Sequence, residues 1–64
     1  MGAGGMTAYR LYCLNDDGHF RTSYDIPARY DREALELAKA MKLPVKCELW
    51  DEARLVAKLE PHKA

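Results

Sequence analysis

Three observations predict an α+β fold for this 64-residue chain, with order β-β-α-β-β and a four-stranded antiparallel sheet carrying one helix on one face. Four short runs alternate apolar and other residues with period two, the spacing of half-buried strands. Between the second and third runs lies a single stretch with helical period and an acidic start. A cluster of Asx and glycine residues separates the first two runs, as a hairpin requires.

The first run, Thr7 to Leu14, puts Tyr9, Leu11 and Cys13 on one face and Arg10 and Tyr12 on the other. Tyrosines at this spacing suit a pleated, half-buried surface. Asn15-Asp16-Asp17-Gly18 supplies the turn, since Gly18 accepts positive φ and the Asx side chains bond nearby backbone. The second run, His19 to Ile26, sets Phe20, Thr22, Tyr24 and Ile26 against His19, Arg21, Ser23 and Asp25. Pro27 has no N–H for a ladder and marks the strand's end or a solvent-facing edge.

Asp31 is expected to cap the helix, its carboxylate accepting from free backbone N–H groups of the first turn. Tyr30 and Leu35 have the spacing expected of a hydrophobic staple. Ala34, Leu35, Leu37, Ala38 and Met41 share one arc, opposite Arg32, Glu33, Glu36, Lys39 and Ala40. Pro44 disfavours helical geometry at Leu43 and closes the element. In the last hairpin Val45, Cys47 and Leu49 alternate with Lys46, Glu48 and Trp50. After Asp51-Glu52-Ala53, Leu55, Ala57 and Leu59 alternate with Arg54, Val56 and Lys58. Residues 1–6 form a glycine-rich tail expected to be disordered, 7–60 one domain, and 61–64 a frayed end.

A right-handed crossover through the helix leaves one position between strands two and three. Strand one fits it antiparallel to both, so the predicted order is 2-1-3-4. The helix side should then hold Leu11, Cys13, Phe20, Tyr24, Val45, Cys47, Leu49, Leu55, Ala57 and Leu59.

Size and charge bound the function. A domain this small buries only about 60% of its unfolded surface and rarely encloses a large cofactor pocket. Ten basic and ten acidic residues balance, which argues against a dedicated nucleic-acid binder. No apolar run approaches the ~18 residues of a membrane-spanning helix and no signal-peptide pattern opens the chain, so no membrane contact is expected. Cys13 and Cys47 lie among apolar strand neighbours and read as buried, reduced thiols. With His19 and His62 they match no zinc spacing, and alternation sends Cys13 and His19 to opposite faces. Asp16, Asp17 and His19 surround a solvated turn, where carboxylates form turns rather than catalyse. No cofactor, metal or catalytic residue is therefore assigned, and a non-enzymatic protein is expected.

One helix cannot cover both faces of four strands. The uncovered face should carry Arg10, Tyr12, His19, Arg21, Lys46, Glu48, Trp50, Arg54, Val56 and Lys58. Tyr12, Trp50 and Val56 would form an apolar patch rimmed by Arg10, Arg21 and Lys58, the composition of an association surface. Alternatively, Trp50 ends its strand and folds over a sheet edge to cover the core. The patch predicts a small interaction or regulatory module that self-associates as a homodimer, through the open face or an edge strand. A heterologous protein is a second possible partner. A weak single-stranded RNA or DNA binder using the same aromatic and basic face is the alternative function.

Tyr9-Arg10-Leu11-Tyr12, Asp17-Gly18-His19 and Glu48-Leu49-Trp50 followed by Arg54-Leu55-Val56 resemble a group of short uncharacterised alphaproteobacterial proteins. These share a Y-R-L-Y first strand, an alanine-rich helix and an E-L-W segment near the end. The resemblance spans Tyr9 to Leu59 and implies a bacterial cytoplasmic protein, with no activity or ligand attached. Members often carry glycine in the last turn, where this chain has Glu52 and Ala53. Asp31-Arg32-Glu33-Ala34-Leu35 is also similar to the helix of HicB-type antitoxins, which implies how such a fold serves as a partner-neutralising module.

Overall fold

A computed structural model describes residues 7–15 and 17–62; the expectations for residues 1–6, Asp16 and the last two residues lie outside the described residues. Its elements are β1 (Thr7–Leu14), β2 (Phe20–Ala28), α1 (Asp31–Ala40), β3 (Cys47–Asp51) and β4 (Arg54–Leu59). The strands form one sheet of order β2-β1-β3-β4, antiparallel at every pairing. The two central strands, β1 and β3, pair directly although β2 and α1 separate them in sequence, while each hairpin contributes one edge strand.

The first turn is held as its composition suggests. Asn15 Oδ1 accepts from the backbone N–H groups of Asp17 at 3.0 Å and His19 at 3.1 Å. Gly18, at φ 83°, occupies the left-handed region that a side chain disfavours. β2 runs on through Pro27 to Ala28, which an edge strand permits because the missing N–H faces outward. In the second turn Glu52 takes φ 55°, a left-handed conformation, without a glycine to relieve it.

The helix begins differently from expectation. Tyr30, not Asp31, is the N-cap, and it makes no side-chain capping bond. Glu33 Oε1 instead accepts from the backbone N–H of Arg29, the residue before the N-cap, at 2.7 Å and tethers the chain as it enters the helix. Tyr30 is largely exposed, so no staple with Leu35 forms. Lys42, at φ 52°, takes the left-handed position just past the helix end. The helix buries Ala34 and Ala38 against the sheet, with Leu35 and Met41 flanking them. Leu37 lies at the margin of that arc and is largely exposed. Small residues on the contact line let the helix approach closely.

The buried core is Tyr9, Leu11, Cys13, Ile26, Ala28, Ala34, Ala38, Cys47 and Leu49. Leu11 and Leu49 are directly opposite each other on β1 and β3 and are fully enclosed. Pro61 and His62 do not fray: the His62 N–H donates to the Leu43 carbonyl at 2.8 Å and ties this segment to the stretch that follows the helix. Cys13 and Cys47 also face each other across β1 and β3, with Cα atoms 4.0 Å apart, and are joined as a disulfide. That corrects the expectation of reduced thiols. Alternation along each strand puts both sulfurs on the helix side, but only the β1–β3 register sets them opposite.

Candidate functional site

Two β-bulges determine what the open face of the sheet carries. On the β1–β2 pair, Cys13 stands opposite Thr22 but Leu14 stands opposite Phe20, so Arg21 is an extra residue on β2. On the β3–β4 pair, Leu49 stands opposite Ala57 but Trp50 stands opposite Leu55, so Val56 is an extra residue on β4. One inserted residue reverses every facing beyond it. Phe20 and Leu55, expected in the core, therefore emerge on the side away from the helix.

Three expected positions move the other way, and a fourth leaves the strand. Val56 packs against the core rather than the open patch. Arg21 lines a hollow on the helix side with Thr22 and Tyr24. Arg54 also turns to the helix side, where its guanidinium meets the start of α1. His19 sits in the first turn, with its backbone held by Asn15. Strict alternation would hold each facing through its hairpin, but each edge strand breaks it once.

What remains on the open face is an apolar centre with balanced charge. Tyr12 and Phe20 pack with ring centroids 5.3 Å apart and planes tilted by 50°, a favourable aromatic arrangement. Phe20 is 57% exposed and Leu55 39% exposed. Trp50 alternates with the enclosed Leu49 and stands opposite both Arg10 and Leu55, so it does not fold over a sheet edge. Its Nε1–H donates to Glu48 Oε1 at 3.1 Å, which fixes the indole along its own strand. Arg10 is paired with Asp25, Nε to Oδ1 at 2.8 Å. Lys58 stands opposite Glu48 in the register. Of the residues expected at this patch, Tyr12, Trp50, Arg10 and Lys58 share the face; Val56 and Arg21 do not. Phe20 and Leu55 take their places, and no local sequence pattern distinguishes them from core residues.

The other polar constellation lies on the helix side, next to the Trp50–Leu55 pair along the strands. Arg54 donates to both Asp31 oxygens at 3.0 Å and to Asp51 Oδ2 at 2.8 Å. Tyr9 Oη donates to Asp31 Oδ1 at 2.8 Å. The Arg54 and Tyr9 hydrogen bonds hold the Asp31 carboxyl down at about 2. The same contacts hold Arg54 further into its charged form, while burial, then the bond to Asp31, pushes the Tyr9 hydroxyl up. These bonds make the cluster a clasp that fastens the last hairpin to the helix start.

Comparisons with protein-family models, with curated proteins and with solved structures give no match to this chain.

Proposed function

We propose that this chain is a small non-enzymatic interaction module that self-associates by stacking the open faces of two sheets. The observation that carries this reading is the pair of edge bulges. They turn Phe20 and Leu55 outward to the face that carries Tyr12 and Trp50, placing four large apolar side chains on a face that no described element covers. The same bulges argue against association through an edge strand. Bulges and prolines are the devices by which edge strands resist pairing with another chain, and β2 carries both Arg21 as a bulge and Pro27.

A second copy suits the chemistry of the face better than a polyanion. Arg10 is already neutralised by Asp25, and Lys58 faces Glu48. A neutral face with both signs interspersed can meet itself about a two-fold axis without opposing like charges, and symmetric dimers are the commonest soluble assemblies. The basic rim that a nucleic-acid platform needs loses Arg21 and Arg54 to the helix side. Stacking two sheets about 10 Å apart would cover in each copy the sheet face that the helix leaves bare.

Sedimentation across a concentration series tests the proposal. A dimer that persists into the low micromolar range, is indifferent to salt, and weakens at least about tenfold in Trp50→Ala is expected, as for an aromatic interface anchor. A monomer at all concentrations overturns it, as does a Trp50→Ala protein of unchanged mass. Quenching of Trp50 only on addition of a single-stranded oligonucleotide, with steep salt dependence, would favour the nucleic-acid reading instead.

A further inference from the structure

On the covered side of the sheet, away from the proposed interface, a groove of about 330 Å3 opens at the C-terminal end of α1. Its floor reaches Cys47, and its rim includes Lys39, Lys42, Leu43, Glu60 and His62. A separate hollow reaches Cys13 from the β2 side. The disulfide therefore lies between two concavities, although each cysteine is only 3% exposed. Among the described residues neither Lys39 nor Lys42 takes part in an ion pair. With Glu60 as the one carboxylate on the rim, the groove presents excess positive charge above a disulfide.

The geometry points to a thiol-exchange site: the Cys13–Cys47 disulfide is reduced in the folded protein by anionic low-molecular-weight thiols entering through this groove. The thiolate is the species that attacks a disulfide sulfur, and the two lysines raise its local concentration. A thiolate RS− attacks Cys47 Sγ, forming an RS–Sγ bond, and Cys13 Sγ departs with the electron pair and takes a proton from solvent. A second RS− then attacks the sulfur of R, releasing RSSR and leaving the Cys47 thiolate. Two thiols are oxidised to one disulfide, and the protein disulfide is reduced to two thiols. The reductant is thus the small thiol itself. The groove lies at the small end of ligand sites, which suits a compound of this size.

The test uses the oxidised full chain without denaturant and three thiols: 2-mercaptoethanesulfonate, 2-mercaptoethanol and cysteamine. Their thiolate forms carry decreasing negative charge in that order. Rates per thiolate, followed by alkylation and intact mass, should fall by about threefold or more at each step at low salt, as electrostatic attraction at a charged groove predicts. The spread should collapse at high salt, where screening is complete within a few Å, and in a Lys39→Gln, Lys42→Gln variant. Equal rates, the reverse order, or reduction only in denaturant would overturn the proposal. So would a single rate independent of thiol concentration, which marks exchange through global unfolding, or a chain that never forms the Cys13–Cys47 bond under mild oxidation.

Discussion

On the helix side of the sheet, Leu11 and Leu49 are fully enclosed, and the Asp31–Arg54 pair is satisfied within the fold. On the open side, Tyr12, Phe20, Trp50 and Leu55 stay partly or largely in water, with Arg10–Asp25 and Glu48–Lys58 interspersed. The same four strands build both faces. The difference lies in what opposes them: one face has a helix that buries Ala34 and Ala38 against it, and among the described residues no element lies on the other. A face built of large apolar residues and left without a layer has the composition of an interface core with a polar rim.

Substitutions that treat the two faces alike break or sharpen this contrast. The largest effect is expected from Leu11→Ala, which removes a fully enclosed side chain at the centre of the β1–β3 pair. A loss of about 2–5 kcal/mol is expected in denaturant unfolding, enough to unfold much of a domain this small. Trp50→Ala, by contrast, should weaken association while leaving the monomer's unfolding midpoint nearly unchanged. A loss of about 3–5 kcal/mol from the monomer would instead make Trp50 a core residue.

The β4 bulge gives a closer test, because it exchanges the facings of two adjacent residues. Val56→Lys should cost about 1–3 kcal/mol, since it drives a charge towards the core. Leu55→Lys should change monomer stability by no more than about 0.5 kcal/mol and impair association, since Leu55 stands with Trp50 on the open face. Unbroken alternation through β4 would reverse the two results.

The smallest expected effect is at the clasp. Asp31 is held at about 2 in the folded protein by Arg54 and Tyr9, below the roughly 3.9 of an unfolded aspartate. Between those values the unfolded chain binds more protons, so this contribution is complete above about pH 4 and is lost as pH falls towards 2. The Glu33 carboxyl, held down by the Arg29 backbone N–H and then by the Arg29 side chain, acts in the same direction. Asp31→Asn should flatten, without abolishing, the acid limb of a stability-versus-pH profile measured by thermal unfolding. An unchanged acid limb would mean that Asp31 is not held by its partners in solution.

Much of the architecture was legible along the chain because its causes are local. Tyr9, Leu11 and Cys13 alternate with Arg10 and Tyr12 whatever the strand pairs with, and Asn15 with Gly18 makes its turn from its own atoms. The helix termini were less legible. Asp31 looked like a cap, but Arg54, 23 positions away, and Tyr9, 22 positions away, took its carboxylate. The open face was half legible. Arg10, Tyr12, Trp50 and Lys58 followed from alternation, whereas Phe20 and Leu55 arrived through bulges that leave no mark in residue type.

The sequence by itself determined the element order, the strand arrangement and one face rich in apolar residues, since period and connection length act through neighbours in the chain. Tertiary structure alone decided which residue each edge strand inserts, which partner Asp31 takes, and that Cys13 meets Cys47. Those depend on register between segments far apart in sequence, and a shift of one residue turns every side chain beyond it to the other face.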